Sequence, residues 1–481
     1  MNRPNVVLVV LDAVRADRTS VYGSGRPTTP NMEAIAEDGV IYEHAFANSN
    51  WTGTSHGALF TGRLPSDSGV HGATQDLPDD VRTLPERLSA AGYRTFAMSA
   101  GAHIRAERGY DRGIDTFKET YQIAPNRRFF RTLLTDSALR RQALYSATAG
   151  PDKKSLYKVE SLKRWIREGD RPFFAFVNLK TAHHPYNPPR PHKSQFCSDL
   201  RRPRYQFVEE FFGDTQDERQ SLPGVAWDRL QKLSYEYPVI ASEMEPSEEE
   251  WEVIRSWYDG AVHYLDHLIG EFVDWMSHTG RLEDTHLIIT ADHGEYFGEH
   301  GLEKHYYGLY EPVIHVPLVV RSPGDDRSPD SVSSIVSLAD LYPTIVDLAT
   351  GDAPELPHSR SLADVGDGSV HEHVFAELGA VSPEGILQDH PEFDDAGYGV
   401  PTQVVRDERY KLITRADGTT ELYDWREDPK ESDDRSEELD GVVERLAAVI
   451  DEKIGELSDE ALQEDVTDEK LQQHLKDLGY M

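Results

Sequence analysis

Asp12 directly follows an unbroken apolar run, Val6 to Leu11. Asp292 follows a second run, His286–Thr290 and Ala291, and His293 stands beside it. If both runs are parallel neighbours in one sheet, two carboxylates and an imidazole converge at its edge, where α/β sheets do their chemistry. That donor set is what a divalent cation needs. Mixed oxygen and imidazole ligands favour manganese or zinc, with calcium or magnesium as the oxygen-only alternatives. Taken singly, each aspartate equally suits a helix N-cap or a turn. A third feature is Trp51–Arg63, where Thr52, Thr54, Ser55 and His56 lie among glycines before an apolar helix. A helix N-terminus holds an anion and lowers the pKa of a hydroxyl aimed at it. The alternative there is an N-cap cluster without chemistry.

Such residues need rigid elements behind them. Strands are expected at Val6–Leu11, Thr95–Ser99, Phe173–Leu179, His286–Thr290 and Pro317–Arg321. Amphipathic helices are expected at Leu84–Ala91 and Trp251–Met276; the latter places Ile254, Trp257, Tyr258, Ala261, Leu265, Leu268, Phe272 and Trp275 at helical spacing. Strands alternating with helices predict an α/β fold with a mostly parallel central sheet between helices. Beyond about residue 370 the texture changes. Short strands at Val374–Glu377, Gln403–Val405, Tyr410–Thr414 and Glu421–Tyr423, with a turn at Asp417-Gly418, predict a smaller antiparallel subdomain. An acidic helical tail follows from Glu437. The expected division is 1–370 and 371–481, with a polar, aromatic-dotted insertion at 190–250 carrying Tyr205, Phe207, Phe211, Phe212, Tyr235 and Tyr237.

The chain of 481 residues carries 85 acidic against 50 basic side chains, a net −35. This argues against nucleic acid and anionic membranes as broad partners. The acid is spread along the chain, as in cytoplasmic proteins of halophiles. Cys197 is the single cysteine, so neither an internal disulfide nor a cysteine zinc site is available. No apolar stretch reaches membrane-span length, and no secretory signal is expected.

Several ordered blocks together resemble the sulfatase branch of the alkaline phosphatase superfamily. They are Asn5–Asp12 with Arg15, Asp17 and Tyr22-Gly23; Thr52–Gly62; His183–Tyr186; Tyr258-Asp259; Thr290–Glu295; and Gly298–Gly301 with Lys304 and Val316–Leu318. Asp340–Thr344, Arg409–Leu412 and Leu422–Asp424 complete the set, which runs from about Pro4 to about Pro429. The resemblance implies an alkaline-phosphatase-like fold. It also implies a metal-bound nucleophile that attacks a sulfate or phosphate centre. Thr52 occupies the nucleophile position, where the family has the cysteine or serine that becomes formylglycine; no formylglycine is expected from threonine. His56 replaces the family's arginine, Ala13 replaces a carboxylate, and His103 stands near a missing lysine. The metal set implied is Asp12, Thr52, Asp292 and His293. Thr52, His183, His300 and Lys304 are the expected catalytic residues, with His184 as a substitute for His183. Ser55, His56 and His103 are weaker candidates for substrate contact. Arg15, Asp17 and Asp259 also suit structural roles. The function implied is metal-dependent hydrolysis of a small-molecule or glycan sulfate ester. A phosphodiesterase or phosphotransferase is the alternative, and a non-catalytic anion- or glycan-binding descendant is the rival from another class.

Overall fold

The structure is a computed structural model that describes residues 3–71, 76–100, 103–120, 133, 135–169, 172–197, 227–235, 244–324, 330–363, 370–379 and 400–455. Most of the 190–250 insertion, including Tyr205, Phe207, Phe211, Phe212 and Tyr237, lies outside them, as does the tail beyond 455.

Among the described residues eleven strands precede residue 370: β1 (Asn5–Leu11), β2 (Val40–Phe46), β3 (Arg94–Ser99), β4 (Thr116–Glu119), β5 (Phe173–Leu179), β6 (Thr285–Ala291), β7 (Tyr296–Phe297), β8 (Glu303–Lys304), β9 (His315–Val316), β10 (Leu318–Arg321) and β11 (Asp330–Ser337). The large sheet runs β11-β2-β10-β6-β1-β5-β3-β4, with β9 paired to β2. β10 runs antiparallel to both its neighbours, so the sheet is mostly parallel, as expected. β1 lies at its centre and is apolar on both faces because helices cover both sides.

The register of three central strands sets the site. Leu11 pairs with Leu179 of β5 and with Ala291 of β6. The next residues, Lys180, Asp12 and Asp292, therefore leave the sheet at one level. Asp12 N–H still donates to the Leu179 carbonyl at 2.9 Å.

The long helix spans Glu248–His278 and starts with a Ser247–Glu250 capping box. The C-terminal strands β12 (Val374–Leu378), β13 (Thr402–Arg406), β14 (Tyr410–Arg415) and β15 (Thr420–Asp424) form an antiparallel meander, with Gly418 at φ +88° in the last turn. Alternate residues face opposite ways along these strands. Val405, Leu412 and Leu422 pack under Leu446 and Ile450 of the helix Asp440–Lys453. Val404, Ile413 and Tyr423 pack with Phe46 and the Tyr296–Ile314 segment. The small sheet thus buttresses the chain that returns to the site after β6.

Candidate active site

Asp12, Asp292 and His293 are fully buried, and one ligand atom of each lies within 4.8 Å of the others. Asp292 Oδ1 accepts from the backbone N–H groups of Ala13 (3.2 Å) and His293 (3.0 Å). Asp12 Oδ1 and Asp292 Oδ2 have no hydrogen-bond partner. Orphaned buried carboxylate oxygens are costly, and a divalent cation between them satisfies both. The residues present therefore fit the metal implied by the sequence. Burial, then the neighbouring Asp12, pushes the Asp292 carboxyl up to about 7. Burial also acts to raise Asp12, but Lys180, His293, His305 and His56 together hold it below the usual carboxylate range. Ala13 sits at φ +64°, a conformation unusual for a residue with a side chain. Tyr258 of the long helix fixes that turn: its hydroxyl donates to the Ala13 carbonyl (2.7 Å) and accepts from Arg15 N–H (2.9 Å).

Thr52 is the first residue of the helix Thr52–Thr61. Its Oγ1 lies 3.2 Å from His293 Nε2. His293 Nδ1 lies 2.9 Å from the Gly294 carbonyl, which only accepts, so Nδ1 carries the proton and Nε2 presents its lone pair toward Thr52. Ser55 and His56 are turned into the protein instead of lining an open face. Ser55 Oγ donates to the Asp292 carbonyl at 2.6 Å. The His56 ring lies edge-on to Phe176, and its Nδ1 donates to the Thr52 carbonyl at 2.7 Å. Ser55 thus ties the helix start to the Asp292 turn, and His56 closes on the first turn of its own helix with its Nδ1 3.6 Å from Asp292 Oδ2.

Opposite this centre stand His183, His184 and His305, also buried, with ligand atoms within 4.8 Å of one another. Burial holds all three imidazoles well below their ordinary pKa. His305 was not anticipated. β7 and β8 pair Tyr296 with Lys304, so the hairpin brings His305 back beside Glu295, and His305 Nδ1 meets Glu295 Oε1 at 2.6 Å. Burial pushes the Glu295 carboxyl up to about 7. His300, by contrast, lies in the connection at the far end of that hairpin. It stacks on Tyr310 with centroids 3.7 Å apart, and its charged neighbours are Glu431, Lys411, Glu421 and Glu299. The structure therefore does not bring His300 to the centre. Lys304 is buried and acts electrostatically on His184, His305 and Glu295. His103 lies edge-on to Trp51, the residue before Thr52.

Lys180 was also missed. It is the foremost cation acting on Asp12 and on His183. The signal was available, since Lys180 follows the Phe173–Leu179 strand as Asp12 follows its own. Arg15 makes a two-pronged pair with Asp17 (2.8 and 2.7 Å), and Asp259 pairs with Arg18 and Arg26 at 2.6 Å, which places these residues in the frame around the site.

The mostly parallel central sheet, the small antiparallel sheet and the acids at the central strand ends match the architecture of sulfatase structures. The Sulfatase family model matches residues 4–351, and that of the N-sulphoglucosamine sulphohydrolase C-terminal region matches 298–459. The chain belongs to the sulfatase family and is a hydrolase acting on sulfate or phosphate esters. It is similar to arylsulfatase K of Xenopus laevis, 24% identical over 89% of this chain and 78% of that protein. It is similar to the N-acetylglucosamine-6-O-sulfatase of Bacteroides thetaiotaomicron, 22% identical over 89% and 82%. Among solved structures, the phosphonate monoester hydrolase of Agrobacterium radiobacter superposes with a TM-score of 0.69 at 22% identity, covering 93% of this chain and 94% of that one. No helix among the described residues is long and apolar enough to cross a membrane.

Proposed function

We propose that the chain hydrolyses sulfate esters of small molecules or glycans, with Asp12, Thr52, Asp292 and His293 holding one divalent cation and Thr52 as nucleophile. The observation that carries this is the meeting of three ligand atoms within 4.8 Å, with Thr52 Oγ1 3.2 Å from His293 Nε2. A cation bound there supplies a lowered hydroxyl pKa and polarisation of an ester oxygen. The protein's own part is positional. Ser55, through the Asp292 carbonyl, ties the start of the Thr52 helix to the turn that carries Asp292 and His293. Thr52 Oγ1 forms a bond to the sulfur as the bond from sulfur to the alcohol oxygen breaks, and the hydroxyl proton ends on that oxygen, which leaves as the alcohol. Water then cleaves the ester on Thr52, releasing sulfate and restoring the hydroxyl. Lys180 and Lys304 bring positive charge to the developing oxyanion; such donors are worth about 3–4 kcal/mol each when removed.

A phosphate or phosphonate ester is the second reading. Threonine cannot give formylglycine, His293 stands among the ligands, and the phosphonate monoester hydrolase shares the fold. The test is a turnover panel of aryl and sugar sulfates, phosphate mono- and diesters and phosphonate monoesters, each with manganese, zinc, calcium or magnesium. The proposal expects sulfate-ester turnover that chelation abolishes. Turnover confined to phosphorus esters selects the second reading, and turnover indifferent to metal contradicts both.

A further inference from the structure

Beside the carboxylate centre lies a second cluster of metal-ligating side chains of different chemistry. We propose that His183, His184 and His305 hold a second divalent cation, adjacent to the one assigned to Asp12, Asp292 and His293. The adjacency rests on the reading above; the trio's own geometry does not.

The ligand atoms of the three imidazoles lie within 4.8 Å of one another, and all three residues are buried. Zinc–nitrogen bonds are about 2.0–2.1 Å, so a closure of under about 1 Å brings the three onto one ion. Metal-binding histidines are oriented through the atoms that do not ligate, typically by a carboxylate or carbonyl on the other ring nitrogen. That pattern is present. His305 Nδ1 meets the buried Glu295 at 2.6 Å, leaving Nε2 as its ligand atom. His183 Nδ1 donates to the His184 carbonyl at 2.7 Å, again leaving Nε2. The Tyr306 hydroxyl lies 3.0 Å from His184 Nε2. The loop itself is strapped from behind. The Lys153 ammonium donates to the carbonyls of His184 (3.1 Å) and Pro185 (3.0 Å) and to that of His183. Three histidines, each with a fixed tautomer or partner, form the set that binds zinc while keeping one position open for water or substrate.

The two clusters touch. The His305 and His293 rings lie 4.2 Å apart between centroids. Paired cations at hydrolytic sites stand about 3.5–4 Å apart and clamp the attacking and leaving oxygens. The negative side chains facing this pair are Asp12, Asp292 and Glu295; the positive ones are Lys153, Lys180 and Lys304. Two cations offset a phosphate dianion more fully than a sulfate monoanion, so a filled trio shifts preference toward phosphorus esters. The lysines make an anion the competing occupant of the trio.

The test is zinc titration of the chelator-treated full chain, with bound metal counted after gel filtration, in wild type and in His184→Gln, His305→Gln and Asp292→Asn variants whose thermal melting is checked. Two equivalents are expected in wild type. His184→Gln and His305→Gln should each weaken one equivalent about tenfold or more and spare the other. Asp292→Asn should weaken the opposite one. One equivalent in wild type, unchanged by His305→Gln, overturns the second site and leaves the first intact. Saturation of the metal-free wild type by inorganic sulfate, with zinc never exceeding one equivalent, overturns it likewise. Two equivalents of which neither responds to Asp292→Asn contradict the carboxylate centre instead. The wild-type titration decides the count even where a variant fails to fold.

Discussion

Two buried charge clusters flank the chain between β6 and β10, and they follow opposite rules. In the C-terminal cluster every charge has its complement. Lys411 Nζ lies 2.6 Å from Glu431 and 3.3 Å from Glu311, and Arg406 pairs with Glu311. The Arg406 guanidinium also lies over the rings of Phe46 (3.8 Å) and Trp425 (4.6 Å). In the carboxylate centre, Asp12 and Asp292 repel one another. The imidazoles of His56 and His293, whose pKa burial lowers, lie 3.6 and 3.7 Å from Asp292 Oδ2. Matched buried charges fix how the small sheet docks. Unmatched ones store a binding site, because the missing charge is what the site is built to recruit.

The largest expected effect separates chemistry from scaffolding. Thr52→Ala should lower kcat by more than about a thousandfold, in steady-state assays at saturating metal, while melting temperature stays near wild type. Retained turnover would reduce Thr52 to a helix-capping residue and make water the attacking group. The next prediction concerns the matched cluster. Lys411→Met leaves Glu431 and Glu311 short of a cation and should cost about 3–5 kcal/mol in urea unfolding, with the kcat of the folded protein unchanged. A smaller effect of opposite sign belongs to the centre. Asp292→Asn removes a like-charge contact in the burial zone, so the metal-free protein should gain about 0.5–2 kcal/mol even as its metal affinity collapses. A metal-free Asp292→Asn protein that is less stable than wild type would break the comparison, because Asp292 would then be structural. The smallest effect is global. With 35 excess negative charges, the melting temperature should rise by several degrees from dilute buffer to molar salt as self-repulsion is screened. A flat profile across that range removes the halophile expectation.

The centre was legible where an apolar run stops at a charged residue, because a buried strand can end on a charge only at the sheet's edge. That rule found Asp12 and Asp292, and it applied equally to Lys180, which motif reading passed over. The hairpin after β6 was harder. His300 and His305 are only five residues apart, but pairing of Tyr296 with Lys304 places His300 beyond the strands and His305 beside Glu295. Non-glycine residues at positive φ, His300 (+55°) and Lys304 (+61°), shape this hairpin, and residue type gives no cue to them. Among the strands of the large sheet, β2, β4, β9 and β11 were not anticipated. β2 interrupts its apolar pattern with Glu43 and His44, and β11 is rich in serine because it lies at the sheet's edge. The small sheet was readable strand by strand because each of its strands alternates between two distinct apolar clusters.

The central claim is that Asp12, Thr52, Asp292 and His293 share one divalent cation, and anomalous diffraction from crystals grown with manganese or zinc tests it most directly. The account predicts a peak within about 2.0–2.6 Å of a carboxylate oxygen of Asp12 and of Asp292, of His293 Nε2 and of Thr52 Oγ1. Saturating metal with no peak among these four side chains, or a peak that Thr52 does not reach, would contradict it.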